Sequence, residues 1–186
     1  MLDAIKKKLH NLKDNKFNPE QFFKEYSKDS CSQFIGVRMP SMRELAKELA
    51  NLNLTEHENI FKQLLESPIN EERMLALILL TNLYKKNRDQ VYNFYLDNLE
   101  YVSNWNLVDV SARDIIGEHF LQYPEIEETI CKLAKSNNFW IQRIAMVSTW
   151  APTRKGQYEL TLKLAKWLMD HKHEMVAKAV GWMVRE

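Results

Sequence analysis

Asn70 to Leu80 reads NEERMLALILL, an opening turn with two acids followed by apolar residues at three- and four-residue steps. That spacing gathers apolar side chains on one side of an α-helix and lacks the alternation of a half-buried strand. Similar openings recur at 105, 138 and 173, at intervals of 35, 33 and 35 residues, each interval holding two helices and a short turn. The first helices of these pairs, ERMLALILL, LVDVSARDII, IQRIAMVST and MVAKAVGWM, all carry an alanine in the apolar face, at 76, 112, 145 and 179. A small residue there lets neighbouring helices approach closely. The period predicts an all-α chain built as an α-solenoid of antiparallel helix pairs, a HEAT-like or ARM-type superhelix. Its extended concave face would suit a long partner, either nucleic acid or another protein.

The same spacing predicts helices over about 2–14, 19–27, 40–51, 55–66, 70–86, 88–101, 105–121, 124–135, 138–151, 156–170 and 173–186. Pro40 and Pro124 suit a first helical turn, and TEHE places Thr55 and Glu58 in a capping-box pattern. With 186 residues, four glycines and five prolines, the chain fits one domain over 1–186 that is short of turn material. No apolar run approaches the roughly 20 residues of a membrane span, and the N-terminus lacks a signal-peptide core, so a cytoplasmic protein without a membrane partner is expected. Cys31 and Cys131 stand far apart with no CxxC partners, and read as reduced core thiols.

Charge is unevenly distributed. Residues 131–186 hold ten Lys/Arg against four Asp/Glu, a net of +6, so an overall +1 leaves −5 on residues 1–130. The basic part is a candidate polyanion surface, although a lopsided but merely solvated set of helices has the same count.

Within NWNLVDVSA, Trp105 and Asp109 lie one helical turn apart and project from the same side. An aspartate in an apolar helix is costly to bury unless paired, which leaves two readings open: a groove-facing reactive pair, or an inter-repeat salt bridge. Asn104 or Asn106 would help to cap that helix. Trp140 with Arg143 and Trp182 with Arg185 repeat a three-residue spacing in the next two first helices. Trp140, Trp150 and Trp167 read as packing residues. Arg143 and Arg185 read as surface ions or phosphate grips. The histidines form no ligand-like cluster beyond His171 and His173, so no metal is expected. Phosphate-loop, dinucleotide, nucleophile-elbow, zinc-protease and deaminase signatures are all missing, which leaves chemistry that needs no cofactor.

QFIGVRMPSMREL (33–45), NEERMLALILL (70–80), VSNWNLVDVSARDIIG (102–117), LAKSNNFWIQRIAMVST (133–149) and VAKAVGWMVRE (176–186) occur in the order found in one family. Through them the chain resembles the DNA alkylation repair enzymes, the AlkD-like alkylpurine DNA glycosylases with HEAT-like repeats. The resemblance implies a hydrolase of base excision repair that binds duplex DNA and cuts the N-glycosidic bond of cationic N3- or N7-alkylated purines, as a DNA-3-methyladenine/7-methylguanine-type glycosylase. It implies Asp109 as catalytic carboxylate, Trp105 and Trp182 as aromatics beside the lesion, and Arg143 as a DNA-backbone contact. Arg185, Arg38 and Tyr26 follow as further DNA-binding residues. Asn106 and Gln142 depart from the family's common acid and arginine, and the family's last C-terminal helices are expected to be lacking. A monomer is expected, with a dimer through the uncapped C-terminal end as the variant. The alternative function is a non-catalytic HEAT-like module that binds DNA or protein.

Overall fold

A computed structural model describes residues 1–19 and 33–186. Among these, regular structure is helical, and the one pairing of extended backbone is an isolated parallel bridge between Gln33 and Ile69. The expected helix at 19–27 falls almost entirely outside the described residues. Contacts divide the chain into two compact units, Met1–Gln90 and Val91–Glu186.

In the first unit, α1 (Leu2–His10), α2 (Met39–Glu48) and α3 (Leu54–Leu65) surround α4 (Asn70–Tyr84). Residues 70–80 of α4 are all buried, acids included. A helix buried all round has little reason to be amphipathic, so its apolar stripe widens to nearly every position. The acids at its start are satisfied by the rest of the unit. Glu71 receives the backbone N–H of Ile35, Gly36 and Val37, the closest at 2.8 Å, and Gly36 reaches that cradle with φ 86°. Glu72 takes Lys6 at 2.7 Å and His10 at 2.8 Å. The cap of α3 differs from the expectation. Asn53, not Thr55, receives the backbone N–H of Glu56 at 2.9 Å and also bonds the Glu56 carboxylate, because the helix starts one residue before Thr55. The Thr55 hydroxyl instead accepts from Gln90 at 3.5 Å.

The division falls inside α5 (Arg88–Asp97). Beyond it, α6 (Trp105–Ala112) runs through a π-type stretch, Arg113–Gly117, into α7 (Glu118–Gln122). A short turn, Pro124–Ile126, leads to α8 (Glu127–Ala134). Then come α9 (Phe139–Ser148), α10 (Trp150–Thr153), α11 (Glu159–Leu168) and α12 (Glu174–Arg185). α9 packs against α6 on one side and α12 on the other, while α8 and α11 pack together as a second layer. Asp109 meets Arg143, and Gly117 meets Ser148, so α6 and α9 run in the same direction. Phe139 stacks on His173, and Arg143 bonds Met175, so α12 continues the row.

The first helices begin at Asn70, Trp105, Phe139 and Glu174, close to the expected starts, and Ala76, Ala112, Ala145 and Ala179 are all fully buried. A buried alanine adds little bulk where helices pack. Gly117 is under stricter constraint, since a Cβ there would run into the Ser148 carbonyl oxygen. Among the tryptophans, Trp140 is core, but Trp167 is not: its ring is 43% exposed and lies under Lys135 and Lys163 at 4.6 and 5.7 Å. The packing expected of Trp167 is replaced by a solvated cation–π contact, because α11 turns that side outward. Cys131 is a free, half-buried thiol on α8 rather than a core residue, and Cys31 lies outside the described residues.

Candidate nucleic-acid interface

In α6, residues 107, 108, 111 and 112 face the core, which turns Trp105 and Asp109 toward the opposite, half-buried side. Ser111 fixes that orientation by bonding the Leu107 carbonyl at 2.6 Å and the Tyr95 hydroxyl at 2.8 Å. Asn104 stands at the cap position, but its side chain does not receive a helix N–H.

Asp109 meets the arginine one repeat on. Arg143 Nη2 donates to both carboxylate oxygens, at 2.8 and 3.0 Å, and Nε donates to Oδ1 at 3.2 Å. Nη1 donates to the Met175 carbonyl at 2.5 Å, which secures the guanidinium from the α12 side. Both partners fix the planar fork in one orientation. The Arg143 side chain is 6% exposed and that of Asp109 23%, so the open side of the pair belongs to the carboxylate. Burial pushes the Asp109 carboxyl above its ordinary value, and the charges of Arg143 and Arg113 offset that rise only in part.

A second chain of contacts extends from Arg113, one turn beyond Asp109. Its guanidinium lies 5.0 Å from the ring centre of Trp150, and that of Arg154 lies 5.8 Å from the same ring. Arg154 reaches Glu186 at 3.6 Å, and Glu186 accepts from Trp182 Nε1 at 3.0 Å. Trp182 is half-buried, and Arg185 is exposed at the end of α12. Asp109 and Arg143 are therefore in direct contact, Trp105 is on the same helix as Asp109, and Trp182 connects through Glu186, Arg154, Trp150 and Arg113.

Of the remaining expected residues, Arg38 lies in the first unit. Arg38 is exposed, pairs with Asp14 at 2.6 Å and lies over the Phe17 ring at 5.0 Å. Tyr26 lies outside the described residues. Sequence reasoning missed Arg113, Trp150, Arg154 and Glu186. The four-residue step from Asp109 to Arg113 was available as a signal, whereas nothing local in the sequence connects Trp150 with Arg113. Among the described residues, no three His, Cys, Asp or Glu side chains gather to hold a metal ion, and no helix is long and apolar enough to cross a membrane.

A family model described as DNA alkylation repair enzyme matches residues 5–186. The chain belongs to the DNA alkylation repair enzyme family. A search of curated proteins gives no match. Membership supports a DNA repair role with DNA as partner.

Proposed function

We propose that this chain is an alkylpurine DNA glycosylase that hydrolyses the N-glycosidic bond of cationic N3- or N7-alkylated purines in duplex DNA. One observation carries the reading: a half-buried carboxylate, held by a bidentate arginine and open on its other side, stands in the row of first helices of a DNA repair family member. An alkylated purine already bears a positive charge, so when the C1′–N bond breaks the bonding pair neutralises the base and no general acid is required. The deoxyribose left behind has oxocarbenium character. The fixed charge of Asp109 stabilises it and orients a water toward C1′, and the water's proton passes to the carboxylate and then to solvent. Trp105 and Trp182 add cation–π attraction of roughly 0.5–2 kcal/mol each to cationic base or sugar, which favours charged over neutral lesions. Arg143, spent on Asp109 and the Met175 carbonyl, is assigned to positioning the carboxylate instead of the backbone contact first expected of it.

A second reading has its own support. The same Arg143–Asp109 fork joins α6 to α9, and in a non-catalytic DNA-binding module it would simply brace the repeats. Release of 7-methylguanine and 3-methyladenine from methylated duplex DNA separates the two. Release by the wild type that falls by about 10²–10³-fold in Asp109→Asn is expected; equal release by both proteins removes the carboxylate mechanism, and release by neither leaves the binding module.

A further inference from the structure

Trp150 is a half-buried indole that starts α10, and two arginines from different segments converge on it. Arg113 comes from the π-type stretch after α6, and Arg154 from just past α10. A guanidinium over an aromatic ring uses its face, which leaves its in-plane N–H edges directed elsewhere. Two guanidiniums at one ring gather several N–H donors in one place. That geometry matches the oxygens of a phosphodiester.

The acids nearby hold these arginines loosely. Arg113 Nε is 3.3 Å from Asp114 Oδ1, and Arg154 Nη1 is 3.6 Å from Glu186 Oε2, both longer than the 2.8 Å contact of Arg143 with Asp109. Glu186 is shared with Trp182 Nε1. The Arg154 side chain is 58% exposed, so an incoming anion meets it with little desolvation. Arg143, in contrast, is engaged at all three nitrogens and buried.

We propose that Arg113, Trp150 and Arg154 form a phosphodiester-binding subsite that grips the DNA backbone beside the Asp109 carboxylate. The inference rests on the glycosylase reading for its partner, and places the backbone grip on these residues rather than on Arg143. A phosphate there takes over Arg154 from Glu186, and Trp150 keeps both guanidiniums beside it. Arg113 then bridges the held backbone and the charge of Asp109, to which it is already coupled.

The test is duplex DNA binding by fluorescence anisotropy between about 50 and 200 mM salt, for wild type, Arg113→Gln, Arg154→Gln, the double variant and Trp150→Leu. Each lost phosphate contact lowers the slope of log affinity against log salt by about one, so each single arginine variant becomes about 3.5-fold less salt-sensitive over that range. The double variant loses about two units of slope. Trp150→Leu keeps both charges and weakens binding with a smaller change of slope. Lys166→Gln, an exposed change on α11, serves as the control and keeps the wild-type slope. Wild-type slopes in both arginine variants, together with base release that still depends on Asp109, overturn the subsite and leave the glycosylase reading standing. Salt-independent DNA binding by the wild type overturns both.

Discussion

Glu72, in the first turn of a first helix in the first unit, and Asp109, one turn into a first helix of the second, are both paired with cations, yet their carboxyls move in opposite directions. For Glu72, burial raises the pKa, but hydrogen bonds from Lys6, Ser67 and His10 together win and hold it below its ordinary value. For Asp109, burial raises the pKa and the attraction of Arg143 and Arg113 does not bring it back. Glu72 is closed off at 2% exposure with donors from α1, and its neighbour Glu71 is filled by three backbone N–H groups. Asp109 keeps 23% of its side chain open and has its arginine on one side. A carboxylate surrounded by donors is anchored, and its charge is used up in the fold. One held from a single direction, at a cost in solvation, still has charge to offer a ligand.

The comparison predicts a double dissociation, with the largest effect at Asp109. Asp109→Asn keeps an oxygen for Arg143 but removes the charge, so the rate of base release falls by about 10²–10³-fold, the cost of one preorganised electrostatic group. Its thermal unfolding midpoint stays close to wild type. Glu71→Ala behaves in the opposite sense. Three backbone N–H groups lose their acceptor, and urea denaturation is expected to show a loss of about 3–5 kcal/mol, while release per folded molecule is retained. Loss of activity with intact stability in Glu71→Ala would erase the distinction between the two sites.

Gly117→Ala tests the packing beneath the Asp109 face. The added methyl meets the Ser148 carbonyl oxygen, so α6 and α9 must separate or the π-type stretch must shift. Overpacking of this kind costs about 1–3 kcal/mol, read as a lower urea midpoint. Because Asp109 and Arg143 lie on those same two helices, the rate of base release should fall with it. A variant as stable and as active as wild type shows that the approach of the helices is not what sets the pair.

Much of the second unit was legible in the sequence because its period is a direct consequence of packing. The three first helices of this unit pack in a row, and their buried alanines, Ala112, Ala145 and Ala179, follow one another at 33 and 34 residues. The pairing of Trp105 with Asp109 was legible for the same reason, since one helical turn fixes it. What depended on contacts between repeats was not. The side chain of Arg143 reads as a surface ion or a phosphate grip until the Met175 carbonyl and Asp109 are seen around it, and the sequence gives no sign that Trp150 lies beside Arg113. The acids of NEER look like an ordinary solvated first turn. They are buried because residues 35–37 and α1 supply their donors from elsewhere in the chain.

Arg143→Met produces the smallest change in rate at neutral pH but decides how the pair works. With Asp109 required in its charged form, release by the wild type declines as pH falls through a carboxyl pKa already above the ordinary value. Removing Arg143 takes away the strongest attraction favouring the charge, leaving burial opposed by Arg113, so the acid limb of the rate profile moves to higher pH. The stability profile follows with a definite sign. An acid whose pKa is raised on folding costs stability as pH climbs from its unfolded value through the folded one, and in Arg143→Met that loss extends further upward. Glu72 has the reverse dependence: its contribution is present above the unfolded pKa and disappears as pH drops through the lowered folded value. Single-turnover release across pH, beside urea midpoints at each pH, measures both. An acid limb that stays in place or moves down in Arg143→Met means the arginine does not sustain the charge on Asp109, and the fork is then only a brace between α6 and α9.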